Sequence, residues 1–489
     1  MVPETGVPAL AHTPPSPLRG NLILLLLTLT QLVQIAPLGV GINSATAIGR
    51  AVGSSAVEST WIAASFPLTQ GSFVLIGGRL GTIYGHKNVL MAGSLLWVLW
   101  TALGGYADTL LGVSLLRGLA GIGGGLMIPN IIALIGITFP PGNKRNLGFA
   151  LFGAMAPVGA AGGGLIGAIV IQLAGWKWSF FLLALAGAVV FGSTSLAVLR
   201  DAPLDPKGSV DIIGSYFGVG GLILFNFVWN QAPLVGWKTA YVIVLLIVSV
   251  LHFVAFVIWE TKFAKEPIMP FNIWKKPSFG RLIITVGLSF MSLGIFIWYM
   301  AQFMEMIRGD SLIVTGLQYL PLTIVGGLTP FIAAWLIPRV PAQVIIGLGC
   351  LALVIINALL ASLRADLSYW AMCFPAMFVS AFTIDLITTS AQIVISSTVP
   401  MKHQGVAGSL VGTLLGYGLS TGIGIAGTVE VNTFDNGKNL LKGYHSAGYL
   451  AVGMSAAALI LSATIRIPKN TQEGWHADDE DANERHGPK

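Results

Sequence analysis

Leu22-Ile23-Leu24-Leu25-Leu26-Leu27-Thr28-Leu29-Thr30-Gln31-Leu32-Val33-Gln34-Ile35 lies within a run, 21–43, that carries no charged side chain. A helix crossing about 30 Å of hydrocarbon needs roughly 20 such residues. Arg19 precedes the run, which is too long for the core of a cleavable signal, so it reads as a helix that stays in the membrane. Outward from it, comparable segments recur near 60–80, 88–106, 110–137, 147–171, 178–199, 212–231 and 239–260. Six more follow near 280–303, 313–337, 342–363, 367–395, 405–429 and 445–466. Fourteen crossings are expected.

Composition supports that reading. Of 489 residues, 54% are hydrophobic and 9% charged, against roughly 25% charged in soluble domains. The 61 Gly and 25 Pro leave the apolar runs intact. The net charge of +6 comes from basic residues standing singly or in pairs between those runs, which excludes a nucleic-acid surface. Cys350 and Cys373 fall inside apolar segments and read as free thiols. The seven histidines form no i, i+4 pair, so no metal site is expected, nor any cofactor. No Walker sequence is present to hydrolyse ATP. Gly422, Gly424 and Gly427 fit a dinucleotide pattern, but they lie within an apolar helix and read as a packing face with Gly408, Gly412, Gly416 and Ser420. An enzyme would show clustered His, Asp or Glu at helical spacing, and none is found.

An even number of crossings puts both termini on one side. Eighteen of the 26 Lys and Arg then fall on that side and seven on the other, with Arg117 inside a span. This bias places both termini in the cytoplasm. The plasma membrane is the expected location, with a vacuolar or other internal membrane as the alternative. The chain divides into a flexible tail (1–20), a six-helix half (21–200), two inserted helices with a linker (201–278), a second six-helix half (279–466) and an acidic tail (467–489).

Four constellations carry chemistry. The connection Gly78-Arg79-Leu80-Gly81-Thr82-Ile83-Tyr84-Gly85-His86-Lys87 pairs small residues, which permit a tight turn, with Arg79 and Lys87 at an anionic surface. In the fourth span, Arg117, Gly121, Gly125 and Pro129 share a helical face. A charge at that depth costs at least about 2.5–3.5 kcal/mol, so Arg117 must face a cavity or a partner. It either bonds the carbonyls of a broken neighbouring helix or tunes a protonatable group. The fifth span holds Gly153 and Pro157, then Gly159, Gly163 and Gly167, a small-residue face that admits another helix closely. Asp385, in Ile384-Asp385-Leu386-Ile387-Thr388-Thr389-Ser390-Ala391-Gln392, is the one acidic residue read well inside a span. It shares a face with Gln392, and is either a proton carrier or a neutral tie between helices. Gln31, Gln34 and Asn43 in the first span, with Tyr299, Gln302 and Tyr417, are candidates to line a substrate cavity; packing is the alternative for each.

The Gly78–Lys87 connection resembles the signature loop of the major facilitator superfamily, Gly-x-Leu-Ala-Asp-x-x-Gly-x-Lys, with Thr82 at the acidic position. Arg117-x-x-x-Gly121 resembles that superfamily's fourth-helix motif, and Gly153 to Gly163 the antiporter motif of drug:H⁺ exporters. With Trp176-Lys177-Trp178, Val210-Asp211-Ile212, Asn226 to Pro233 and His403-Gln404-Gly405, the chain resembles the fungal fourteen-spanner drug:H⁺ antiporters over about 20–466. The resemblance implies an all-α integral membrane fold of fourteen transmembrane helices, 6+2+6. It further implies proton-driven export of a small organic compound by a monomer whose partners are lipid, protons and that small molecule. Asp385 and Arg117 would serve proton coupling, and the signature loop a lock between the halves. Uptake of a small polar solute or ion is the alternative.

Overall fold

The computed structural model describes residues 16–466 apart from 141, 270, 276–277, 338, 399–400 and 436–437; the side chains of 396–405 are also outside the description. The two expected tails, except 16–20, and the His403-Gln404-Gly405 side chains therefore lie outside the described residues.

The first helix, α1 (Pro17–Ala51), starts inside the expected tail because Pro17 suits a first helical position. It is followed by α2 (Thr60–Tyr84), α3 (His86–Gly104), α4 (Leu110–Thr138), α5 (Asn143–Ala174) and α6 (Trp176–Ala197). Two more, α7 (Ile212–Val235) and α8 (Ala240–Lys262), precede α9 (Phe279–Gln302), which a π turn extends to Ile307. Then come α10 (Leu312–Leu336), interrupted at Tyr319, and α11 (Ala342–Ala361). The series ends with α12 (Cys373–Ile395), α13 (Met401–Thr433) and α14 (Leu440–Ser462). Oxygen caps close several starts: Thr109 accepts from Gly112 N–H, Asp211 from Gly214 N–H and Asn439 from Lys442 N–H. Gly85, at φ 89°, ends α2 and turns the chain directly into α3.

The fold is all-α and membrane-spanning, as expected. Twelve of the described helices, rather than fourteen, are long and apolar enough to cross a membrane by length and composition. The other two are α2 and α3, of 25 and 19 residues. Their apolarity is diluted by Gln70, Ser72 and Arg79 in α2 and by His86-Lys87-Asn88 at the start of α3. Most of α2 is buried between other helices rather than turned to lipid, which is where polar groups in a membrane belong.

Packing reveals an internal repeat. In the first six helices α1 packs on α5 and α6, α2 on α4, and α3 on α4 and α6. In the last six α9 packs on α13 and α14, α10 on α12, and α11 on α12 and α14, the same pattern shifted by eight. The two sets meet chiefly through α2 on α13 and α5 on α10, a pair of contacts that the repeat exchanges. Helices α7 and α8 pack on each other, and α7 also covers α2 and α13. Helix α8 turns Ile243, Val244, Ile247, Leu251 and Val254 outward, a side-chain set suited to lipid. Gly159 and Gly163 let α5 approach α1 so closely that a Cβ on Gly163 would sit 2.6 Å from the Ala36 methyl.

Candidate functional site

Asp385 stands on α12 at the junction of the two sets. It is 4% exposed, and no side chain among the described residues bonds either carboxylate oxygen. It faces Gly153 of α5: a Cβ there would lie 3.8 Å from Asp385 Oδ1 and 3.4 Å from the Pro330 ring of α10. One turn further along α5, Pro157 packs on Gly326 of α10. Of the antiporter-like stretch, Gly153 therefore faces the carboxyl, while Pro157 packs α5 on α10 one turn away. Gln392, two turns beyond Asp385, is exposed and donates to the Gly408 carbonyl at 3.4 Å.

The first-helix amides form a chain. Gln70 Nε2 donates to Gln34 Oε1 at 2.9 Å, and Gln34 Nε2 donates to Gln31 Oε1 at 2.8 Å. Trp97 Nε1 donates to the Gln34 backbone carbonyl at 3.2 Å. Gly124 of α4 backs the junction, where a Cβ would approach Gln70 Nε2 to 3.0 Å. Asn43 lies further along α1 against Gly164, with its Nδ2 unbonded.

Arg117 is clasped between two helices. Its Nε donates to the Ile62 carbonyl of α2 at 2.7 Å and its Nη2 to the Pro37 carbonyl of α1 at 2.8 Å. The guanidinium is 3% exposed, with no carboxylate in ion-pairing reach among the described residues. A void of about 10 Å³ lies beside it, lined by Trp100, Thr101 and Phe180 among others. That is room for about one water, so an organic solute does not reach Arg117 in this conformation. Of the two readings of Arg117, the geometry matches the carbonyl clasp, and no hydrogen bond or ion pair joins it to Asp385.

These seams, repeats and buried polar groups can be set beside known proteins. The model of the Major Facilitator Superfamily matches residues 27–425. The chain belongs to that superfamily. It is 34% identical over 444 residues to the low affinity ammonium transporter of Saccharomyces cerevisiae, covering 89% of this chain and 86% of that protein. It is 31% identical over 463 residues to the efflux pump terJ of Aspergillus terreus, covering 92% and 88%. The solved human organic anion transporter superposes with a TM-score of 0.61 over 92% of this chain and all of that one, at 14% identity, a likeness of fold alone. As a member of the superfamily the chain is a multi-pass membrane transporter rather than an enzyme.

The superfamily's signature loop sits where α2 turns into α3. Gly78 abuts Ser409 of α13, where a Cβ would come to 3.1 Å of its hydroxyl. Gly81 gives way to Asn130 and His86, whose side chains bond each other at 2.8 Å. Lys87 Nζ donates to the Val198 carbonyl at 2.6 Å, and Arg79 is ion-paired to Asp205 and Glu266. The Tyr417 hydroxyl donates to the Leu222 carbonyl of α7 at 3.0 Å. Gln302 is buried with Nε2 unbonded.

Asp385 is not the only carboxyl within the helices, which corrects the sequence inventory. Tyr299 donates to Glu430 Oε2 of α13 at 2.7 Å, and Thr46 of α1 donates to Glu305 Oε2 at 2.6 Å. Both acids lie past the expected span ends at 429 and 303, because the helices run on to Thr433 and Ile307. The signal available was an acidic residue directly following an apolar run. A third, Glu260, ends α8 and accepts from the Ile268 and Met269 N–H groups at 3.3 and 3.1 Å.

Proposed function

We propose that the chain is a proton-coupled exporter of a small organic compound, working by alternating access between its two six-helix sets. The observation that carries this reading is Asp385, a buried carboxyl at the seam of α5, α10 and α12 with no side-chain partner among the described residues. Loading and unloading a proton there changes what the seam tolerates. With the proton on, the carboxyl sits against Gly153 and Pro330 at low cost. With it off, a bare charge favours water and hence an open seam. Proton movement and opening are thereby linked. Arg117 acts on this cycle by position, holding α1 at Pro37 against α2 and so setting the Gln31–Gln34–Gln70 chain. Those amides, with Asn43, Gln302 and Gln392, supply hydrogen bonds to an uncharged or weakly polar solute. The likeness to a named efflux pump favours export. Both termini face the cytoplasm in this reading, the transporter acts as a monomer, and the plasma membrane is its site.

A second reading, uptake of a small ion, is favoured by the 34% identity to a protein named as an ammonium transporter. Accumulation with and without an uncoupler separates the two directions. A compound-panel growth screen of a deletion strain identifies the solute. With that solute in proteoliposomes, Asp385→Asn is expected to lose transport driven by a pH gradient while retaining exchange without one. Unchanged gradient-driven transport in the variant would overturn the proton-carrier role.

A further inference from the structure

Thr82 leaves the α2–α3 turn without a carboxylate of its own, yet the arginine of that turn is held by two. Arg79 Nη1 meets Asp205 Oδ2 at 2.9 Å, and Nη2 meets Glu266 Oε2 at 2.7 Å and the Ser209 carbonyl at 3.2 Å. Neither acid belongs to the six-helix sets. Asp205 lies in the stretch leading into α7, and Glu266 in the stretch leaving α8. The same stretches grip the rest of the turn. Asp205 N–H donates to the Thr82 carbonyl at 3.0 Å. Asp201 accepts from the His86 and Lys87 N–H groups at 2.6 and 2.9 Å, a carboxylate on the open amino-terminal end of α3. Glu266 also accepts from Ser209 N–H at 2.6 Å, which ties the two stretches to each other.

The turn sits at the seam. Gly78 touches Ser409 of α13, and α7 lies over both α2 and α13. Along that line Asn226 Nδ2 donates to Thr421 Oγ1 at 2.8 Å and Ser420 Oγ donates to Asn226 Oδ1 at 3.0 Å. Trp61 of α2 donates to Gln231 at 2.9 Å. The inserted pair is thus bonded to both sides of the seam, and its charged ends meet the turn at one face.

We propose that the inserted pair α7–α8 supplies the acids of the signature-loop latch: Asp205 and Glu266 stand in for the carboxylate that position 82 lacks, and hold this end of the α2–α13 seam closed. The proposal rests on the alternating-access reading above. Opening at this face must draw α2 from α13, and with α7 kept on α13 by the Asn226–Thr421 and Tyr417–Leu222 bonds, Arg79 moves away from two carboxylates that belong to the insert.

The test uses the full chain in nanodiscs with spin labels on cysteines at Asn146 and Arg339, exposed residues at this face on opposite sets. Cys350 and Cys373 are buried and stay unlabelled. Asp205→Asn with Glu266→Gln is expected to raise the long-distance population roughly two- to fivefold, the scale of part-exposed ion pairs. Glu266→Gln alone is expected to give a smaller rise. Two populations that the double variant leaves unchanged overturn the latch, as does a rise in the single variant as large as that in the double. A second pair, at Ala56 and Ala365 on the other face, reports on the underlying reading. One fixed distance at both faces in every variant overturns alternating access and the latch together.

Discussion

Thr46 of α1 donates its hydroxyl proton to Glu305 of α9 across 2.6 Å, joining the two six-helix sets at the face opposite the signature loop. Glu305 sits in the π turn Phe303–Ile307, and its second oxygen is unbonded. π turns often mark functional positions in helices. A hydrogen bond within a protein contributes about 0.5–1.5 kcal/mol net. Thr46→Val keeps the shape and removes the donor, so the closed population of this face should fall roughly two- to tenfold. Distances between labels at Ala56 and Ala365 report it, and an unchanged distribution would count against the link.

Arg117 separates two effects. Arg117→Met removes a buried charge without stranding a partner carboxylate, because none is paired with it among the described residues. The loss is then of two carbonyl bonds, about 1–3 kcal/mol, seen as a lower thermal midpoint in detergent together with slower transport. The pH midpoint of the residual transport should stay where it was. A shifted midpoint would instead mean that the guanidinium acts directly on Asp385.

Gly163→Ala places a methyl 2.6 Å from the Ala36 side chain. The helix gains up to about 1 kcal/mol of propensity, but overpacking costs about 1–3 kcal/mol. A lower unfolding temperature is the expected outcome, and Gly163→Leu should lower it further. An equal or higher temperature for the alanine variant would show that α1 and α5 can separate without loss.

The Ser209 N–H, then the Ser209 hydroxyl and Arg79, hold the exposed Glu266 carboxyl below its ordinary range. A depressed carboxyl contributes its tie above the ordinary carboxylate range and loses it as the pH falls through the depressed value. Hydrogen-exchange protection at the α2–α3 turn, corrected for the intrinsic pH dependence of amide exchange, should therefore be flat between about pH 6 and 8 and fall on the acid side of about pH 4. Glu266→Gln should remove part of that acid loss. A variant with the full acid loss would place the titrating group elsewhere.

The membrane-spanning architecture was legible because hydropathy is a local property: each run such as 21–43 declares itself without knowledge of its neighbours. The Gly159–Gly163 face was legible for a similar reason, since small residues every fourth position specify close approach whatever the partner. Tyr417 was harder to read. A tyrosine in an apolar helix suits a cavity wall and a helix clamp equally, and its partner, the Leu222 carbonyl, appears only once α7 is packed against α13. Glu430 and Glu305 were missed because an apolar run stops at an acid in any hydropathy reading, whereas the helix continues for as long as its backbone bonds do.

The sequence by itself determined a bundle of bilayer-crossing helices and a carboxyl at position 385 inside the apolar region. Those are properties of segments, and lipid acts on segments. The pairing of polar groups was decided only by tertiary structure. Arg79 meets its acids at separations of 126 and 187 residues, and Thr46 meets Glu305 at 259. No local pattern encodes such partners. A hydrogen bond depends on a few ångströms of separation and on angle, and these exist only once the helices have packed.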